Sequence, residues 1–387
     1  MGPAAVRIVL AAAAAAFAAR AQTAPAPAPA SRPAPRDVSA LIAPLTARHG
    51  VPGLVAATVE GPELVALGAA GVRRRGGDAT VRVDDPFHLG SCTKAMTATL
   101  CGLLVEEGKL SWSTTLADVF SAPLGDALGA PWREVALTQL LTNTSGMPAN
   151  LDQDGLWGAL CRHRGAPLEG RRKLLTGVVK HAPVAPPGSK NLYSNAGFAT
   201  AGHMAETVVG EPWEALMARR LFGPLGMTRA GFGAPTAASA DDVPWGHRDD
   251  GTPVDPSKGG ADNPAAIGPA GTVHAPIGDW AKFVALHLRG ARGEAGLALK
   301  PGTFATLHRP AEASGASYAM GWVVAKRPWA GGRTLMHNGS NTMWFAVVWI
   351  APEKNFAVMA ACNQGGDAGA KATDDAVGAL IRERGAR

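Results

Sequence analysis

Strand-like segments sit at both ends of this chain with a long helical stretch between them, and that arrangement limits the available folds more than any other feature. Leu54 to Val59 and Leu64 to Gly71 are short apolar runs around Gly61-Pro62, a hairpin signal. Comparable runs return only at Ala319 to Ala325, Thr334 to His337, Met343 to Ile350 and Phe356 to Cys362, with Pro352-Glu353-Lys354-Asn355 as a turn. From Asp85 to about Ala275 the pattern is helical with long loops. Pro212 and Gly223 bracket one helix there, and Asp279 to Leu288 before Gly290 forms another. Further helices are expected at Asp37 to His49, stopped by Gly50 and Pro52, and at about Ala370 to Arg384. The expected fold is α+β. One N-terminal hairpin and three of the four C-terminal runs make an antiparallel five-stranded sheet, flanked by terminal helices, with a mainly helical insertion beside it.

The N-terminus reads differently. Arg7 precedes an apolar stretch from Ile8 to Ala19, and Ala19-Arg20-Ala21 has the small-x-small pattern of a secretory cleavage site. Residues 1–21 are therefore expected to be a signal peptide cut before Gln22. The apolar run is well short of the ~20 residues a spanning helix needs, so no membrane span is expected in the mature chain. Residues 22–36 alternate alanine and proline and should form an extended, disordered linker. Residues 37–387 are left for the folded domain, its sheet part at about 37–85 and 315–387 and its helical part at about 86–314. At 47% apolar content this length suffices for two packed parts. Loss of residues 1–21 removes Arg7 and Arg20 and no acid, leaving 35 basic against 31 acidic side chains. That small excess is dispersed, and Arg73-Arg74-Arg75 reads as a solvated hairpin end, so no nucleic-acid partner is expected.

Chemistry concentrates in Phe87 to Lys109, FHLGSCTKAMTATLCGLLVEEGK. Apolar residues at Met96, Leu100, Leu103, Leu104 and Val105 have helical spacing, and Gly108 is a natural stop. Ser91 then falls in the first turn with Lys94 on the same face, one turn on. A serine hydroxyl needs an adjacent base. A free lysine, with a pKa of about 10.4, becomes one only when burial or another cation depresses that value. At a helix start, unpaired N–H groups and the dipole favour the negative charge that develops when serine attacks a carbonyl, so the Ser91 N–H is a candidate half of an oxyanion hole. Downstream, Tyr193-Ser194-Asn195 follows the loop signal Pro186-Pro187-Gly188 and opens a helical run to Val209. His337-Asn338-Gly339-Ser340 comes later still.

The order S-x-x-K, Y-x-N and a basic residue two before glycine resembles the serine β-lactamase and penicillin-binding protein superfamily, on its class C β-lactamase, DD-peptidase and esterase branch. LLTNTSGMP at 140–148, PPGSKNLYSNAGFATAG at 186–202, LFGPLGM at 221–227 and GPAGTVH at 268–274 share the likeness, which runs from about residue 40 to 380. The resemblance implies the β-lactamase/transpeptidase-like fold, with the site in a cleft between its two parts. It makes Ser91, Lys94 and Tyr193 catalytic. The Tyr193 phenol, at about 10 when free, would be pulled down near Lys94 and pass the Ser91 proton. Asn195 would hold the lysine or a substrate amide, Gly339 would admit a substrate backbone, and the Ser340 N–H would complete the oxyanion hole.

Two positions depart from the β-lactamase pattern. His337 replaces a lysine, exchanging a fixed positive charge for a group mostly neutral at pH 7. Some DD-peptidases and esterases of the superfamily carry histidine there. Trp344 replaces a small residue and is expected to narrow the cleft wall or stack on substrate. Cys92 and Cys101 are too far apart on one helix to pair. Each of the four cysteines, Cys161 and Cys362 included, is expected to be a small buried thiol. HExxH and CxxC are absent, so no metal or other cofactor is expected, and the absence of G-x-S-x-G removes the main rival serine-hydrolase fold. The function expected is that of a periplasmic or secreted serine hydrolase acting through a Ser91 acyl-enzyme on a small ester or peptide. The alternatives are a true β-lactamase and a non-catalytic protein that binds cell-wall peptides.

Overall fold

In a computed structural model, the residues described are 33–386 apart from 238, 240, 241 and 313–316. Residues from Pro35 onward form one unit. The signal-peptide assignment lies outside the described residues, as does nearly all of the linker.

The two ends of the chain do meet in one sheet. Its order is Arg36–Asp37, Glu63–Gly71, Gly53–Glu60, Phe356–Cys362, Phe345–Ala351, Gly332–Ser340, Val323–Arg327. All neighbours are antiparallel except the two-residue strand Arg36–Asp37, which pairs parallel with Ala66 and Leu67. The sheet thus has seven strands where five were expected. Its two edges account for the difference: Arg36–Asp37 is a pair of exposed residues with no apolar pattern, and Val323–Arg327 takes up only the end of the expected Ala319 to Ala325 run. Ala319 to Trp322, expected to be extended, instead close a turn in which the Ala319 N–H donates to the Trp322 carbonyl and Gly321 has φ +82°.

The central strands are continuous apolar runs because both faces of the sheet are covered. Their side chains alternate between two cores. Val55, Ala57, Val348, Ile350, Ala357 and Met359 face the layer containing the helix Ile277–Ala291. Leu54, Ala56, Val347, Trp349, Val358 and Ala360 face the terminal helices Ser39–His49 and Gly366–Gly385. The helix Asn195–Val209 matches its expected bounds. The one opened by Pro212 does not stop at Gly223: a five-residue π-turn, Ala218–Phe222, carries it through, and Gly226 at φ +67° ends it. The arginine run is also not a solvated loop end. Arg73 forks onto buried Asp85 with bonds of 2.9 and 2.7 Å, Arg74 lies over Trp245, and Arg75 donates to the Gly50 and Gly251 carbonyls.

Candidate active site

Ser91 sits on a 3₁₀ turn, Gly90–Cys92, between the short strand Pro86–His88 and the helix Thr93–Glu106. That helix is buried on nearly every side, so its polar residues are anchored: Thr97 donates to the Pro269 carbonyl (2.7 Å), and Thr93 Oγ1 accepts from the Val273 N–H (3.1 Å). Lys94, one turn after Ser91, is completely buried. Its Nζ lies 3.0 Å from Ser91 Oγ, 2.8 Å from Asn195 Oδ1 and 2.7 Å from the Ala270 carbonyl oxygen.

Burial pushes the Lys94 ammonium down to about 7. A neutral amine has two N–H bonds and one lone pair. Asn195 Oδ1 and the Ala270 carbonyl can only accept, so they take both N–H bonds, and the lone pair is left facing the Ser91 hydroxyl. In the neutral form that burial favours, Lys94 can therefore remove a proton from serine. Asn195 is fixed for this as the first residue of its helix, which Ser194 caps by accepting from the Gly197 N–H.

Tyr193 places its ring 4.7 Å from Lys94 Nζ. The residue is 41% exposed overall, yet its pKa is raised, not lowered as expected: desolvation of the phenol end, which faces Ser91, outweighs the Ser91 hydrogen bond that favours the phenolate. The sequence expectation weighed only the charge of Lys94 and omitted desolvation. Tyr193 is therefore a phenol near neutral pH, able to give a proton, while Lys94 is the group able to take one.

The third motif lies on the strand Gly332–Ser340. Its backbone abuts the serine turn so closely that side chains are excluded: a Cβ on Gly90 (φ +50°) would collide with the Ser340 nitrogen, and one on Gly339 with the Leu89 carbonyl. This contact sets the Ser340 nitrogen against Gly90 and the Ser91 nitrogen against Gly339. His337 is buried and is pushed down to about 3, first by burial and then by the Lys94 charge, so it is neutral near pH 7. Its Nδ1 faces the Asn338 carbonyl, which only accepts, so Nδ1 carries the proton. Nε2 then accepts from the Tyr318 hydroxyl at 2.9 Å.

Sequence reasoning missed Tyr318 and the Ala270 carbonyl. Tyr318 is one of only two tyrosines, and its ring stands edge-on to that of the other, Tyr193. The carbonyl left no side-chain signal, although GPAGTVH marked its turn. Trp344 is not a cleft wall: it is buried edge-on against Phe87, in the core behind the site. Cys92, Cys101 and Cys362 are buried free thiols, whereas Cys161 is exposed, contrary to expectation. Ser91, Tyr193, Tyr318, His337, Asn338, Gly339 and Ser340 line a cleft of about 360 Å³.

Sheet, helical layer and cleft together define a β-lactamase/transpeptidase-like α+β fold. The Beta-lactamase family profile matches residues 38–383, and the chain belongs to that family of serine hydrolases. It is 28% identical over 340 residues to penicillin-binding protein 4 of Amycolatopsis lactamdurans, covering 85% of each chain. It is also 28% identical over 249 residues to an unguisins hydrolase of Aspergillus violaceofuscus, covering 60% of this chain and 41% of that one. Among solved structures, a class C β-lactamase from Rhodobacter sphaeroides superposes with a TM-score of 0.70 at 21% identity, over 89% of this chain and 98% of that one.

Proposed function

We propose that the protein hydrolyses small esters or peptides through an acyl-enzyme on Ser91. The observation that carries this reading is the hydrogen-bond set of Lys94, which leaves its lone pair for Ser91 alone. Neutral Lys94 takes the Ser91 proton as Oγ attacks the substrate carbonyl, and the resulting oxyanion is held by the Ser91 and Ser340 N–H groups. Tyr193 gives its proton to the leaving alcohol or amine as the C–O or C–N bond breaks, and recovers one from Lys94. Water then attacks the acyl group by the reverse path, giving up its proton to the same pair, and Ser91 is restored.

The esterase or peptidase assignment rests on His337. Both of its ring nitrogens are engaged within the protein and the ring is neutral, so it offers neither charge nor a free N–H to a substrate carboxylate. A neutral acyl group suits that wall better than an anionic β-lactam. The likeness to a penicillin-binding protein favours a second reading, in which a β-lactam acylates Ser91. Turnover of short p-nitrophenyl esters, D-amino-acid peptides and a chromogenic cephalosporin by the purified chain separates the two. Ester or peptide turnover that exceeds cephalosporin turnover, and is lost in Ser91→Ala, is expected; cephalosporin hydrolysis without ester or peptide turnover would reverse the assignment. Export through residues 1–21 accords with this reading. No helix among the described residues is long and apolar enough to cross a membrane, and the mature protein is expected to begin at Gln22 by mass spectrometry.

A further inference from the structure

Behind the serine turn lies a buried polar cluster that the mechanism above does not use. His88, the last residue of the strand Pro86–His88, is completely buried, Asn341 nearly so, and the carboxylate of Asp262 is only 10% exposed. The Gly90 N–H donates to His88 Nδ1 (3.1 Å). That nitrogen must therefore present a lone pair, and the ring proton must sit on Nε2, which donates to Asp262 Oδ2 at 2.9 Å. The other carboxylate oxygen, Oδ1, accepts from Asn341 Nδ2 at 2.8 Å and from the Asn263 N–H at 2.7 Å. Asn341 Oδ1 accepts in turn from the Met343 N–H at 3.2 Å, which fixes the direction of the amide.

One carboxylate thus holds two backbone segments. Through His88 it grips Gly90, the residue before Ser91, and directly it grips the side chain of Asn341, the residue after Ser340. Ser91 and Ser340 are the two residues whose N–H groups the proposed mechanism assigns to the oxyanion, and their nitrogens lie against Gly339 and Gly90. We infer that Asp262 is a positioning residue, which sets the spacing of the two oxyanion-hole donors through His88 on one side and Asn341 on the other. The inference rests on the Ser91 acyl-enzyme reading and deepens it. Nothing other than a carboxylate of this size serves both arms, because each needs an acceptor. In Asp262→Asn the single carbonyl oxygen can serve only one arm, and the amide N–H₂ meets a donor on the other. If the amide faces His88, the ring proton is driven to Nδ1, where it confronts the Gly90 N–H.

The test is the rate at which a fluorophosphonate probe labels Ser91, because its phosphoryl oxygen occupies the oxyanion position and no substrate need be known. Asp262→Asn in the full chain is expected to lower the limiting labelling rate by about 10- to 100-fold, somewhat less than outright loss of one oxyanion donor. Probe affinity and the pH midpoint set by Lys94 should stay unchanged. A general loosening of the site would instead relax the burial of Lys94 and shift that midpoint upward. His88→Ala combined with Asn341→Ala should reproduce the loss, and adding Asp262→Asn to that pair should cost nothing further if Asp262 acts only through those two residues. An unchanged labelling rate in Asp262→Asn, a loss confined to probe affinity, or a shifted midpoint overturns the inference while leaving the Ser91 reading intact. If Asp262→Asn does not fold, the double variant decides by the same criteria. Wild-type protein that labels elsewhere than Ser91 overturns both.

Discussion

Lys94 is held as a buried base between two acceptors and the Ser91 hydroxyl, and burial sets its behaviour with pH. Its pKa in the folded chain is depressed from 10.5 to about 7 by burial. Below pH 7 it is an ammonium and has no lone pair for Ser91; above, it is free to act. kcat/KM for an ester should therefore rise through about pH 7 to a plateau, and since Tyr193 is pushed up rather than down, no descending limb is expected before about pH 10. The same shift bears on stability. Between about 7 and 10.5 the unfolded chain binds a proton at Lys94 that the folded chain does not, so this residue makes stability increase with pH across that window. Lys94→Ala and Tyr193→Phe should each slow Ser91 acylation by about 10²- to 10⁴-fold, and far from additively in combination, as measured by single-turnover kinetics. For His337, already neutral down to about pH 3, KM for an anionic substrate should show no inflection near 6.5 due to this residue. The contact of Ser91 with Lys94 could be anticipated from their spacing, and that of Lys94 with Asn195 from the family resemblance. The protonation states of Tyr193 and His337 could not be read fully, because burial comes from elements distant in sequence.

The decisive element-scale feature is the contact of the serine turn with the strand Gly332–Ser340. Gly90→Ala would force a side chain into the Ser340 nitrogen at a left-handed φ, and Gly339→Ala would drive one into the Leu89 carbonyl. Either change should separate the two N–H donors and lower kcat by about 10²-fold or more, read from ester turnover alongside circular dichroism to confirm folding. The strands Gly53–Glu60 and Phe356–Cys362 were legible because unbroken apolar runs are what a doubly covered sheet requires. The helix Asn195–Val209 was legible as a helical run after the Pro186-Pro187-Gly188 loop signal, and in the structure Ser194 caps it and Gly210, at φ +78°, ends it. The true end of the helix after Pro212 was hidden because a π-turn absorbs Gly223, and the edge strand Arg36–Asp37 was hidden because two exposed polar residues carry no apolar signal.

At the scale of the whole molecule, the site lies where the helical layer meets the sheet, and each side supplies part of it. Ser91, Lys94, Tyr193 and Asn195 come from the helical side; His337, Gly339 and Ser340 come from a sheet strand. The helical layer is itself tied by Arg171, which is fully buried and forks onto both Glu206 and Glu214 with bonds of 2.6 to 2.9 Å. Nothing in sequence spacing pointed to this triad. Arg171→Met would leave Glu206 buried with no cation but His203 and only the Trp213 N–H besides, and should destabilise the protein by about 3–5 kcal/mol in urea unfolding, without shifting the pH midpoint of Ser91 labelling. The central claim is that Ser91 is the acylated residue and Lys94 its base. Its most direct test is peptide-resolved mass spectrometry of the chain labelled with a fluorophosphonate across a pH series. One adduct on the peptide containing Ser91, absent in Ser91→Ala and forming faster as pH rises through about 7, is the expected result. An adduct that survives Ser91→Ala would contradict the account, as would a labelling rate that does not change through that range.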